Sequence, residues 1–126
     1  MEAQMIICDK VTFDVVHKLG SVINTIYVDC FPCIYEVEAF VKLIGIPSTQ
    51  TTDFAVGVLD SEKEIVASSD IIAVRNYRDD DQVPGIDMDL KMQLLLCKKG
   101  IINFKLLLNK NEVTSYPITV RLREKN

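Results

Sequence analysis

Residues 100–122, Gly-Ile-Ile-Asn-Phe-Lys-Leu-Leu-Leu-Asn-Lys-Asn-Glu-Val-Thr-Ser-Tyr-Pro-Ile-Thr-Val-Arg-Leu, alternate apolar and polar on both sides of a polar turn. Ile102, Phe104, Leu106 and Leu108 fall on one face of the first arm, and Tyr116, Ile118, Val120 and Leu122 on one face of the second, which is the period of a half-buried strand. The spacing predicts a β-hairpin turning through Asn109, Lys110, Asn111 and Glu112. A lone hairpin is only marginally stable in water, so its apolar face requires a second sheet laid over it, drawn from the preceding residues.

Those residues supply short strands at fairly regular intervals. Met5-Ile6-Ile7-Cys8 reads as the first, closed by Asp9 and Lys10. A polar crossing with Asp14, His17 and Lys18 leads to residues 21–28, rich in β-branched side chains, as the second. Asp29-Cys30-Phe31-Pro32-Cys33 stops it. Residues 34–44 fit either a strand or one helix face, and the strand is preferred because Tyr35, Val37, Ala39, Val41 and Leu43 alternate. Residues 51–59 follow as a clear strand, turn at 60–63, and return through 64–68 and 71–74. Residues 78–89 read as a polar loop, 90–97 as a strand with Leu90, Met92, Leu94 and Leu96 on one face, and 98–100 as a tight turn into the final hairpin. The expected fold is all-β: one antiparallel immunoglobulin-like β-sandwich of about eight or nine strands spanning residues 1–126. A hydrophobic content of 48% over 126 residues is enough for one core and leaves little for a second.

Ile7-Cys8-Asp9, the strand around residues 20–24, Phe31-Pro32, the pattern Gly100-x-Ile102-x-Phe104-x-Leu106-x-Leu108-Asn109 and Pro117-Ile118-x-Val120 together resemble a family of small bacterial proteins of uncharacterised activity. The resemblance implies an immunoglobulin-like sandwich over nearly the whole chain. It departs from the family at Ile102, where a Tyr is common, and it implies no catalytic residues.

Function is narrowed chiefly by exclusion. A net charge of −4 and a pI near 4.9 oppose a general nucleic-acid binder, which needs a basic surface to displace counterions. Glu2 stands where a signal peptide carries base, and the apolar run at residues 5–8 is too short for a signal core or a membrane span. The expectation is a cytoplasmic protein that engages neither nucleic acid nor membrane, with its four cysteines as thiols.

Cys30-Phe31-Pro32-Cys33 has the spacing of a redox dithiol, in which Cys30 would attack a disulfide and Cys33 resolve it. That chemistry needs flanking helices, and no segment after Pro47 reads as one, so a turn with two small thiols is preferred. A closed zinc site would need Cys8 and Cys97 gathered to the same pair. His17, the only histidine, has no adjacent nucleophile, and any Ser-His-Asp hydrolase would have to use it. The acids of residues 79–89 could hold calcium, but Val83 and Pro84 break the helix-loop-helix calcium pattern, and a solvated connection is preferred. Catalytic residues, cofactors and metals are therefore not expected.

Residues 1–89 carry six Lys/Arg against sixteen Asp/Glu, and residues 90–126 carry eight against two. Either the two segments neutralise each other or the C-terminal strands form a basic face. If Leu94, Phe104 and Ile118 point inward, then Lys91, Leu95, Lys105, Leu107, Arg121 and Arg123 point outward together, with Asn103 and Thr119 among them. Leucines on a solvent face ask for cover, so the expected function is a non-catalytic interaction or scaffold module. It would bind another protein chain, a second copy included, through the outer face or edge of this C-terminal sheet. A thiol-dependent redox or structural-metal protein using Cys30 and Cys33 is the alternative.

Overall fold

Between Thr52 and Leu59 every second residue (Thr52, Phe54, Val56, Val58) is buried and those between are exposed or half-exposed, the signature of a strand with one face on a core. The same alternation recurs along the chain. A computed structural model describes residues 2–13, 18–82 and 84–124, with the side chains of 2–9, 22–82 and 84–124. Among them are ten strands: β1 (Glu2–Phe13), β2 (Lys18–Val22), β3 (Thr25–Val28), β4 (Cys33–Ile44), β5 (Thr52–Leu59), β6 (Ile65–Ser68), β7 (Ile72–Val74), β8 (Gly85–Leu96), β9 (Gly100–Leu108) and β10 (Asn111–Leu122).

The strands form a four-stranded sheet ordered β2-β1-β4-β8 and a six-stranded sheet ordered β3-β10-β9-β5-β6, with β7 also on β5. The sheets pack face to face, with β1 over β10 and β8 over β6. Ile7, Val37, Leu43 and Leu94 from one sheet and Phe54, Leu106, Phe104 and Ile118 from the other share a single buried cluster. The fold is thus the all-β sandwich that the alternation predicts.

The structure differs from the sequence reading in several features, the first being that β1 runs through Asp9 and Lys10, expected to close it, and β2 begins at Lys18 in the expected crossing, so that the described strands number ten rather than eight or nine. The expected strand at residues 21–28 is two strands in two sheets. The Ile23 amide donates to the Ile7 carbonyl on β1, while the Asn24 carbonyl accepts from the Thr119 amide on β10. The chain therefore crosses the sandwich at residues 23–24, and the Tyr116 hydroxyl anchors the crossing by donating to the Ile23 carbonyl at 2.9 Å. β3 then runs parallel to β10, the one parallel pairing among the described strands. Residues 85–89, read as loop, are the first half of β8, paired along its whole length with β4. Gly85 permits that pairing, because a Cβ there would land on the Leu43 carbonyl oxygen. Finally, residues 97–99 do not turn β8 into β9 as a hairpin but carry the chain from one sheet to the other.

Candidate interaction surface

The proposed basic face of the last three strands does not exist as one surface. β8 lies in the four-stranded sheet and β9 and β10 in the six-stranded one, so Lys91 and Leu95 face outward on one side of the sandwich and Lys105, Leu107 and Arg121 on the other. Arg123 lies beyond the end of β10, where its guanidinium meets the Asp29 carboxylate at 3.5 Å. Alternation in the sequence sorts inward from outward residues along most of these strands, though Leu122, expected on the buried face, is exposed. Alternation carries no information about which sheet a strand joins.

The charge gradient is neutralised in part, by Lys98 and Arg123 reaching acids of residues 1–89, while the ion pairs of Lys42, Arg78 and Lys105 each lie within one segment. Lys98 reaches Glu62 at 2.9 Å and Asp60 at 3.6 Å, tying the β8–β9 crossing to the β5–β6 turn. Within that turn the Asp60 carboxylate accepts from the Glu64 and Glu62 amides, which together with Lys98 hold its pKa below the ordinary value. Lys42 and Arg78 both approach Asp87, at 3.9 and 3.2 Å. Lys105 pairs within its own hairpin with Glu112 at 3.2 Å.

On the outer face of the six-stranded sheet Leu107 stands opposite Ala55 in register. With the exposed Ile71 they line a mostly apolar hollow of about 230 Å³ to which Asp53 and Lys110 also contribute. On the outer face of the four-stranded sheet Leu95 stands opposite Ile34, 53% and 69% exposed. Lys91 stands opposite Glu38. Neither Ile71 nor Ile34 stands out in the sequence as a surface residue; the register sets Ile34 beside Leu95 and the hollow sets Ile71 beside Leu107, so each extends an apolar spot begun by a predicted leucine. A more polar hollow of about 430 Å³ lies beside the start of β8, lined by Arg75, Tyr77, Arg78, Gln82, Gly85, Ile86 and Asp87.

None of the four cysteines is in a disulfide. Cys8 is buried, whereas Cys30, Cys33 and Cys97 gather at one end of the sandwich, because Cys33 pairs with Leu96 and Cys30 lies in the bend just before it. Burial, followed by the nearby Cys30, Asp29 and Cys97, pushes the Cys33 thiol above its ordinary pKa. In a redox pair Cys33 would be the resolving thiol, and the attacking one, Cys30, is exposed. Among the described residues no three His, Cys, Asp or Glu side chains are placed to hold a metal ion. His17 lies outside the described residues.

No protein-family model matches the chain, and no curated protein matches it. Solved structures do. The CARDB domain of a Pyrococcus furiosus protein, determined in complex with di-metal ions, superposes with a TM-score of 0.50 at 12% identity, over 97% of this chain and 96% of that one. The alkylpurine DNA glycosylase AlkC of Pseudomonas fluorescens, bound to DNA containing an abasic site analogue, gives a TM-score of 0.47 at 9% identity, over 78% of this chain and 28% of the glycosylase. The first match extends over essentially both chains, and the molecule has a CARDB-like immunoglobulin fold.

Proposed function

We propose that the chain is a non-catalytic protein-interaction module that takes a segment of another protein on the outer face of its six-stranded sheet. The observation that carries this reading is the hollow between Ala55, Ile71 and Leu107. Its lining is mostly apolar with Asp53 and Lys110 included, a combination suited to an apolar anchor on an extended segment with polar neighbours. Lys105 and Arg121 share the same outer face and would favour acids flanking that anchor. Membership of the family of small bacterial immunoglobulin-like proteins belongs to the same proposal. The metal ions of the Pyrococcus furiosus domain belong to that protein, since a shared fold does not transfer a ligand. The reading of Cys30 and Cys33 as a redox or metal pair has less support, because among the described residues no helix follows Cys30 to stabilise its thiolate and no three potential ligands gather to hold a metal ion.

Selection of a displayed random-peptide library on the wild-type protein, with Leu107→Glu as the counter-target, tests the reading. Peptides sharing an apolar anchor should emerge, and their Kd should rise roughly tenfold or more on Leu107→Glu. Recovery of no binder, or of binders indifferent to Leu107→Glu, would remove this face from consideration.

A further inference from the structure

β8 is an edge strand twelve residues long, paired with β4 on one side and with no other described strand on its second side. The loop before it lies against its first residues, where the Gly85 amide donates to the Asn76 side chain and Arg78 meets Asp87, and the edge beyond them is a template for another strand unless something blunts it. β8 contains neither a proline nor a register shift against β4, and its one glycine is Gly85 at the very start. Its inward residues also lack cover over half its length. Met92, Leu94 and Leu96 are buried, whereas Ile86, Met88 and Leu90 are only half-buried.

The outward residues select the partner. Along β8 they read Asp87, Asp89, Lys91, Gln93 and Leu95. We infer that two copies of this chain pair through β8, antiparallel about a two-fold axis at Leu90, joining their four-stranded sheets into one eight-stranded sheet. In this register Asp89 of each copy faces Lys91 of the other, Asp87 faces Gln93, and on the inner face Met88 meets Met92 and Ile86 meets Leu94. Both Asp89–Lys91 contacts carry opposite charges, and such directly opposed pairs stabilise a ladder. The half-covered Ile86, Met88 and Leu90 gain apolar neighbours from the second copy.

Neighbouring registers either oppose like charges or lose the charge pairing; an axis at Met92 does the latter, setting Lys91 against Gln93 and Asp89 against Leu95. An axis at Lys91 sets that lysine against itself, an axis at Asp89 does the same to the aspartate, and an axis at Met88 sets Asp87 against Asp89. An axis between two residues would put the inward set of one copy against the outward set of the other. A two-fold axis also makes the contact self-limiting, since each copy uses up the edge it offers. This surface lies on the opposite sheet from the hollow at Leu107, so it stands or falls independently of peptide binding there.

The test is charge reversal with complementation, read by sedimentation velocity and native mass spectrometry across a concentration series, with circular dichroism to confirm folding. The wild type should dimerise, and salt should weaken the dimer. Lys91→Asp and Asp89→Lys should each raise the dimer Kd roughly tenfold or more, because each places like charges opposite each other twice. Mixing the two variants should restore dimerisation as a heterodimer, since every 89–91 contact is then again between opposite charges. A wild type that stays monomeric up to high micromolar concentration overturns the proposal. So does a dimer insensitive to both reversals, or a mixture that gains no heterodimer.

Discussion

Tyr35 stands near the thiol end of the sandwich, and its hydroxyl donates to the Asp9 carboxylate at 2.7 Å across 26 residues of sequence. Burial first, and then the hydrogen bond and charge of Asp9, push its pKa up to about 12 from an ordinary value of 10.0. The folded protein therefore holds this proton more tightly than the unfolded chain does. Its stabilising contribution is complete below the unfolded value and is lost as the pH climbs through the folded one. Denaturant unfolding followed between about pH 9 and 12 should show a stability decline that is shallower in Tyr35→Phe. Parallel curves for the two proteins would mean that the Asp9 contact contributes nothing. At the same scale, the Cys30–Cys33 pair shows how little a motif fixes by itself. The spacing of Cys30 and Cys33 is that of a redox pair, yet spacing fixes neither burial nor the neighbours that set a thiol's pKa.

The hairpin of β9 and β10 was the most legible element in the sequence, because its alternation is long and both arms bury one face. Its turn is tighter than expected: Leu108 pairs with Asn111, leaving Asn109 and Lys110 as the two central residues, at φ of 49° and 71°. Two positive φ values mark the primed turns that match strand twist, and Asn is well suited to the first position. Asn109 also ties the turn to β5. Its amide donates to the Asp53 carbonyl at 2.7 Å, and its side-chain oxygen accepts from the Asp53 amide at 3.0 Å. Lysine at the second position bears the steric cost of a left-handed conformation that glycine escapes. Lys110→Gly should therefore stabilise the protein by about 1 kcal/mol, visible as a higher melting temperature in calorimetry. A lower melting temperature would show that the lysine stem contributes more at the edge of the Leu107 hollow than its backbone costs. The register shift between Glu112 and Thr114, which leaves Val113 exposed, was not legible, since a bulge depends on the partner strand as well as on its own residues.

At the scale of the molecule, what the sequence concealed was which strand joins which sheet. Residues 21–28 read as one strand because nothing in their side chains marks residues 23–24 as a crossing; the crossing is held from outside by Ile7, Tyr116 and Thr119. Residues 97–99 are as short as a hairpin turn, and the chain uses them instead to pass between layers about 10 Å apart. The consequence for the candidate surface is concrete. Had β8, β9 and β10 been consecutive in one sheet, Leu95 and Leu107 would share a solvent face and their substitutions would interact. They lie instead on opposite outer faces with the whole core between them. Substitutions at separated sites without common partners combine additively to within about 0.5 kcal/mol. Leu95→Glu and Leu107→Glu should therefore change unfolding free energy independently, with the double variant matching the sum of the singles in chemical denaturation of the monomer. A coupling well above that limit would place the two leucines on one face and overturn the division of the last three strands between two sheets.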